Sequence, residues 1–162
     1  MKKTTLTKRA VKSTVPVLKK PLDVATPTTP FNWLVIHFVG LFFVNSIILY
    51  AVNMIFPQLL VLGTHVISPL MALVSGSALL SLLLVAAMPI TEAFQKAQKF
   101  TLTTMQWTGL YFILNFIGLW LISRLAEEVG LGVSSWMVAA GLAVVLDCIQ
   151  AIVISMLMKK MK

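Results

Sequence analysis

The chain has 162 residues, of which 59% are hydrophobic and only 11% are charged. Soluble domains carry about a quarter charged residues, so most of this surface does not face water. The net charge is +8, but the basic residues lie mainly at the chain ends and in one internal stretch, without interleaved aromatic residues. The composition argues against a soluble domain and a nucleic-acid-binding module, and predicts a single membrane domain.

The first 30 residues form a basic segment rich in lysine, threonine and proline. Such a segment cannot bury enough apolar area to fold alone, so residues 1–30 are predicted to be a flexible cytoplasmic arm. A cleaved signal peptide fits poorly, because the basic region and the apolar run after it are too long and no small-residue cleavage site follows. A mitochondrial presequence stays open, although it would be rich in lysine rather than arginine.

Four long apolar segments follow, and each is long enough for a transmembrane helix of about 20 residues. The stretch from Phe31 to Ile90 contains no Asp, Glu, Lys or Arg and holds the first two. Ser68 and Pro69 are typical of a helix start, and Pro89 is expected to end that helix. The predicted spans are about 30–56, 68–88, 105–125 and 135–158, in a membrane domain at 31–158 followed by a basic tail at 159–162.

The lysines predict the orientation of the chain in the membrane. Every lysine lies in the N-terminal arm, in the 90–106 loop or in the C-terminal tail, whereas the apolar segment 57–67 has none and is expected at the outer interface. Four spans put the three lysine-bearing regions on one side, which the positive-inside rule makes cytoplasmic. Both termini are therefore expected in the cytoplasm, with the chain in the inner (plasma) membrane. The lysines expected to contact lipid headgroups are Lys96, Lys99, Lys159 and Lys160.

The two halves of the membrane domain resemble each other. Trp33 and Trp107 open the first and third spans, and Asn45 aligns with Asn115. Each half is a helix, a short glycine-containing outer segment and a returning helix, and units of two spans keep the same orientation. The predicted fold class is all-α: an integral membrane four-helix bundle built from two parallel helix-hairpin repeats.

The fourth span contains a carboxylate, Asp147. It lies about twelve residues past the predicted cap, or roughly 18 Å along the axis, and so near the middle of the bilayer. A carboxylate there is costly and by default marks a functional site or a partner contact. The same arithmetic brings other polar side chains to this depth. The predicted polar layer consists of Asp147, Asn115, Asn45, Ser77, Ser81 and Gln150.

This layer has two interpretations. In the structural one, Asp147 is protonated, since burial disfavours the charged form, and it hydrogen-bonds Asn115. Such bonds hold membrane helices together with about 0.6–2 kcal/mol each. In the functional one, the layer lines a polar path and Asp147 binds a cation or a proton. The sequence favours the structural interpretation, because a conduit through so thin a bundle would need several copies.

Small residues at helical spacing predict close contacts between the spans, because they allow backbones to approach. Arg124 and Glu128, four positions apart, are expected to form a surface ion pair. The predicted packing residues are Ala72, Gly76, Ala139, Gly141 and Ala143.

The sequence offers no recognisable site for a metal or for catalysis. It has one cysteine, Cys148, and two widely separated histidines, His37 and His65, which make no metal-ligand pattern. Neither a hydrolytic triad nor a phosphate-binding glycine loop is present. The sequence therefore predicts a protein without metal or cofactor that is not an enzyme.

The segment from about Leu110 to Val153 has the most distinctive pattern, LYFILNFIGLWLISRLAEEVGLGVSSWMVAAGLAVVLDCIQAIV. An asparagine precedes an apolar and aromatic helix, a short glycine-rich outer turn and a returning helix of small residues, and residues 43–83 repeat this more faintly. In this the chain resembles the four-helix phage-holin-like family of bacterial membrane proteins. The long N-terminal arm, Asp147 and the lack of a proline in the third-to-fourth turn depart from that family.

The resemblance implies a small bacterial inner-membrane protein that self-associates and affects membrane permeability. Two alternatives stay open: a non-catalytic accessory or assembly subunit of a larger membrane complex, and a small transporter that uses Asp147. The expected partners are the lipid bilayer and either further copies of this chain or other membrane proteins, and nucleic acid is not expected.

Overall fold

A computed structural model of the chain describes the backbone of residues 30–160 and the side chains of residues 30–156. Four of its helices are long and apolar enough to cross a membrane, which confirms the predicted all-α, four-span fold class. The predicted arm at residues 1–29 and the last two tail residues lie outside the described residues. In chain order the elements are α1 (Phe31–Ile55), β1 (Leu60–Leu62), α2 (Pro69–Gln98), α3 (Thr104–Arg124), α4 (Ala126–Val129), β2 (Leu131–Val133) and α5 (Trp136–Lys160).

Two short strands, which the sequence did not predict, join the connections at one end of the bundle. β1 and β2 pair antiparallel, with Val61 opposite Gly132. Beyond the strands, the Gly63 N–H donates to the Gly130 carbonyl at 2.7 Å. Peptide groups near an apolar phase must find hydrogen-bond partners within the protein, and this ladder supplies them. The strand residues buried in the bundle are Leu60, Leu62 and Leu131.

The strand pair fixes the directions of the four long helices. Because the α1–α2 connection pairs with the α3–α5 connection, both lie at one end of the bundle, which we call the strand end. The start of α1, residues 99–103 and the end of α5 lie at the other end, which we call the lysine end after Lys96 and Lys99. That the lysine end is cytoplasmic stays a prediction.

The helices form a ring in the order α1, α2, α3, α5. α1 packs mainly against α2 and α3 against α5, and contacts between α2 and α3 and between α1 and α5 complete the ring. It follows that α1 and α3 face each other diagonally across the bundle, as do α2 and α5. The first and second hairpins each contribute one strand and one membrane-depth asparagine, but their origin as a repeat stays a prediction.

The sequence predicted that α2 ends before Pro89. In the structure the helix continues to Gln98. A proline removes one backbone hydrogen bond, which a membrane helix tolerates where nearby groups compensate. In this turn the Thr91 hydroxyl donates to the Ala87 carbonyl at 2.7 Å. The helix stops where Lys99 adopts a left-handed conformation with φ 54°. Its 30 residues span roughly 45 Å, which is longer than the bilayer core of about 30 Å.

Hydroxyl side chains cap three of the long helices. The Ser68 hydroxyl accepts a backbone N–H in the first turn of α2, as the Ser68–Pro69 pair predicts. Thr103 and Gln106 form a reciprocal capping box at the start of α3. At the start of α5 the Ser135 hydroxyl accepts from the Val138 N–H at 3.3 Å. These caps satisfy backbone donors that lie free at a helix start.

The buried apolar side chains form two separate clusters. The larger one fills the strand end and is built around Leu49, Leu80, Leu119, Leu131 and Leu146. The smaller one lies towards the lysine end and is built around Leu41, Leu84 and Val85. Along each helix, polar side chains lie between the two clusters, so the apolar core is interrupted near its middle.

Four of the five small residues predicted to pack are buried: Ala72, Gly76, Ala139 and Ala143. A Cβ on Gly76 would lie 2.6 Å from Leu131 Cδ1, so α2 approaches β2 closely there. Gly141 is exposed, and a Cβ there would meet nothing within 4 Å. Successive helical residues are about 100° apart, so Gly141 is rotated by about 200° from both Ala139 and Ala143. Since these two alanines face the core, Gly141 points away from it. The prediction that Gly141 packs against another helix of the same chain is therefore wrong.

Candidate functional site

A continuous chain of side-chain hydrogen bonds crosses the middle of the bundle and joins all four long helices. Gln150 Nε2 donates to Asn45 Oδ1 at 2.7 Å, and Asn115 Nδ2 donates to Gln150 Oε1 at 2.9 Å. Asn45 Nδ2 in turn donates to Ser81 Oγ at 2.9 Å, and the Ser81 hydroxyl donates to the Ser77 carbonyl at 2.7 Å. We call this set the amide chain: Asn115, Gln150, Asn45 and Ser81.

The amide chain is closed off from lipid and from water. Its side chains are at most 1% exposed, and they lie between the two apolar clusters. A bilayer core supplies no hydrogen-bond partner, so buried amides bond to one another and hold the helices at a fixed depth. The depth arithmetic from the sequence selected these residues, and the structure brings them together. Ser77 is buried beside them, but its hydroxyl has no partner among the described side chains and backbone.

Asp147 lies beside the amide chain and is not part of it. It is one turn closer to the strand end than Gln150 and is 9% exposed. Within residues 30–156 its carboxylate makes no hydrogen bond. The expected bond between Asp147 and Asn115 is therefore wrong, since Gln150 engages the Asn115 amide at 2.9 and 3.4 Å. Three helical positions separate Asp147 from Gln150, which turns the carboxylate about 60° away from the amides.

A cavity of about 370 Å³ lies in the lysine-end half of the bundle and reaches Asp147. All four long helices contribute to its wall. It extends from the first turns of α1 and α3 past Gln150 to Asp147 at its deep end. The lining residues are Trp33, Met88, Glu92, Thr104, Trp107, Thr108, Tyr111, Asp147, Gln150, Ala151 and Ile154.

Aromatic and acidic side chains alternate around this cavity. The Trp33 ring on α1 stacks on His37, with centroids 3.5 Å apart, and the Trp107 ring on α3 stacks on Tyr111 at 5.9 Å. The diagonal formed by α1 and α3 thus carries the aromatic pairs, whereas α2 and α5 carry the carboxylates of Glu92 and Asp147. The arrangement suits a positively charged ligand, because a ring face and a carboxylate both attract cations.

The sequence did not predict that Trp33, Trp107 and Tyr111 line one cavity, although their spacing contains a signal for it. Trp33 and His37 lie twelve and eight positions before Asn45, and Trp107 and Tyr111 lie eight and four positions before Asn115. Residues four apart share a helix face. The faces that carry the two asparagines therefore also carry the rings towards the lysine end. Glu92 was missed because it was assigned to a loop beyond Pro89.

The histidines and the single cysteine make no composite site. His37 Nδ1 lies 3.0 Å from the Trp33 carbonyl, and its buried Nε2 has no partner in the described part of the chain. His65 is exposed in the connection at the strand end, and Cys148 is exposed on α5. No group of three metal-ligating side chains is close enough to hold an ion within the residues searched.

The predicted ion pair between Arg124 and Glu128 does not form in the described structure. α3 ends at Arg124 and the backbone turns at Leu125, so the two side chains are not on one continuous helix. The guanidinium lies instead over the Trp120 ring, 4.4 Å from its centroid. A cation over an indole face is a favourable contact at a helix end near the membrane surface.

The lysines predicted to contact lipid headgroups lie at or near the lysine end. Lys96 belongs to the last turns of α2, and Lys99 terminates that helix. Both are exposed, whereas the side chains of Lys159 and Lys160 lie outside the described residues. Their contact with headgroups stays a prediction.

Comparisons with protein-family models, curated proteins and solved structures found no significant match to this chain. The resemblance to the holin-like family therefore depends on the sequence pattern and on the four-span architecture.

Proposed function

We propose that this chain is a small membrane transporter that binds a cation at Asp147. The observation that carries the proposal is the position of this carboxylate, near the predicted middle of the bilayer, in a cavity wall and outside the amide chain. A carboxylate at such a depth is costly to keep. Since Asp147 contributes no hydrogen bond between the described helices, ligand binding accounts for its presence better than helix packing does.

The one-sided position of the cavity supports a carrier rather than an open channel. Towards the strand end, the larger apolar cluster lies beyond Asp147. A binding site near the midplane that is reached from one side is the arrangement expected of one state in alternating access. Release on the other side would require the helices to separate at the larger apolar cluster, which therefore acts as the barrier.

The holin-like hypothesis, a self-associating element that affects permeability, has less support. The side chains of the amide chain point into a single chain and bond to one another. The exposed face of α5 carries apolar residues such as Val144, Ile149 and Ile152. Copies packed side by side through such faces would present no polar surface to line a conduit. The hypothesis of an accessory subunit has no specific contact in its favour, because apolar faces suit lipid equally well.

Charge movement in proteoliposomes tests the proposal. The purified full chain is reconstituted, and currents are recorded on a supported membrane after concentration jumps of protons, Na⁺, K⁺ and tetraphenylphosphonium. We expect at least one cation to give a current that Asp147→Asn abolishes. The matched control is Glu127→Gln, which removes an exposed carboxylate at the strand end and should leave the current unchanged. Equal currents from wild type and Asp147→Asn, or no wild-type current with any cation, would overturn the proposal.

Dye retention separates a transporter from a permeability element. Vesicles loaded with carboxyfluorescein should keep the dye after reconstitution of the wild-type chain, because a carrier never opens to both sides at once. Release of the dye in proportion to protein would instead favour the holin-like hypothesis. Mass determination in gentle detergent then shows whether the active form is one chain or several.

A further inference from the structure

We infer that the cavity takes an organic monocation with aromatic rings, rather than an inorganic ion. This inference rests on the proposed cation site at Asp147 and adds the chemical class of the ligand. Three features carry it: aromatic walls on opposite sides, too few oxygen ligands for a metal ion, and a volume that suits a small organic molecule.

The first feature is the pair of indoles on facing helices. Trp33 and Trp107 line the cavity from α1 and α3, which lie diagonally across the ring of helices. Each indole is supported from behind, Trp33 by His37 and Trp107 by Tyr111. Indole is the ring that binds cations most strongly, and such contacts strengthen when water is excluded. Two indoles that each stack on a second ring and line the same cavity favour a ligand whose positive charge is attached to an aromatic or alkyl body.

The second feature is the scarcity of oxygen atoms near Asp147. Metal cations bind several oxygen ligands, six to eight for calcium and near-octahedral geometry for magnesium. At the deep end of this cavity the neighbouring side chains with oxygen are Gln150 and Tyr111, and Gln150 Oε1 already accepts from Asn115 at 2.9 Å. An inorganic ion would lose its hydration shell without replacement. An organic cation has far less hydration to lose.

The third feature is size and apolar character. The cavity volume of about 370 Å³ falls within the range of about 300–1,000 Å³ that is typical of small-molecule pockets. Its wall also contains Met88, Ala151 and Ile154, and among the side chains of residues 30–156 no lysine or arginine lines it. A body of two to four rings with one positive charge therefore matches both the space and the single deep carboxylate.

Binding of two probes with the same shape and opposite charge tests the inference. Tetraphenylphosphonium and tetraphenylborate are titrated into the full chain in detergent by calorimetry, with tetramethylammonium as a cation without rings. We expect binding of tetraphenylphosphonium only. Asp147→Asn and Trp107→Ala should each weaken it about tenfold or more. The first variant removes the partner of the charge, and the second removes a ring that contacts the aromatic body of the probe. Trp136→Phe, which changes an exposed indole at the strand end, is the matched control and should bind as wild type does.

The outcomes separate this inference from the proposed function. Equal binding of both tetraphenyl ions would indicate partition into an apolar surface and would overturn the inference. No tetraphenylphosphonium binding, together with Asp147-dependent currents for protons, Na⁺ or K⁺, would also overturn it while leaving the proposed function intact. Binding and currents that are both insensitive to Asp147→Asn would overturn both. Should Asp147→Asn fail to fold, the charge-reversed probe and Trp107→Ala still decide the matter.

Discussion

The Gln150 side-chain amide donates to Asn45 Oδ1 at 2.7 Å, although 105 positions separate the two residues in the chain. This bond joins the last long helix to the first. Gln150 also exchanges hydrogen bonds with Asn115 at 2.9 and 3.4 Å, so one side chain holds three helices at one depth. Gln150, which lines the cavity, therefore also connects three of the four long helices.

Replacing Gln150 by leucine should destabilise the fold. The change removes three hydrogen bonds, each worth about 0.6–2 kcal/mol in membranes, and leaves the amides of Asn45 and Asn115 short of partners. We expect the free energy of unfolding in bicelles to fall by about 2–4 kcal/mol. The control on the same helix is Ile152→Leu, where the side chain is 54% exposed and no loss is expected. An unchanged unfolding curve for Gln150→Leu would contradict the structural role of the amide chain.

The contact of α3 with α2 should be sensitive to one methyl group at Gly118. A Cβ there would lie 2.7 Å from Leu80 Cδ1 and 2.9 Å from Leu83 Cδ2. Gly118→Ala should therefore cost about 1–3 kcal/mol from overpacking. Gly109 is on the same helix, and a Cβ there meets nothing within 4 Å, so Gly109→Ala should be neutral or slightly stabilising. Thermal unfolding of the two variants side by side is the measurement, and equal stability would refute this packing.

The stability of the connections at the strand end should depend on the glycine at position 130 but not on the one at position 132. Gly130 has φ +82°, and a Cβ there would lie 2.6 Å from the Ala72 Cβ. Gly130→Ala should therefore lower the melting temperature through both backbone strain and overlap. A Cβ on Gly132 would meet atoms only at 3.9 and 4.0 Å, so Gly132→Ala should melt like wild type. A reversed order of melting temperatures would be inconsistent with this connection.

Single-cysteine labelling should locate the two ends of the bundle. In a Cys148→Ser background, His65→Cys puts a thiol at the strand end and Lys99→Cys puts one at the lysine end, both at exposed positions. A membrane-impermeant maleimide added to intact cells should label position 65 and leave position 99 unlabelled until the cells are permeabilised, because lysines favour the cytoplasmic side. Labelling of position 99 alone would invert the predicted topology, and labelling of both would indicate mixed insertion.

The sequence predicted the fold class and much of the amide chain, because hydropathy and distance from a helix cap locate a residue along the membrane normal. Asn45, Asn115 and Gln150 were identified in this way. The errors concern Pro89, whose lost backbone bond did not end α2, and Gly141, whose position around α5 was misjudged. The strand pair was missed because β1 and β2 are far apart in sequence and each is too short to show an alternating pattern.

The sequence by itself determined that the chain has four segments long and apolar enough to cross a bilayer, and where along them the polar residues lie. The free energy of transferring a side chain into lipid depends mainly on that side chain, so it can be summed along the chain without knowledge of the fold. Only the tertiary structure decided how each helix is rotated about its axis. In lipid the outer face of a helix is as apolar as the inner one, so no amphipathic stripe marks the side that faces its neighbours. Contacts between distant residues set that rotation, which joins Gln150 to the asparagines and leaves Asp147 in the wall of the cavity that Trp33 and Trp107 also line.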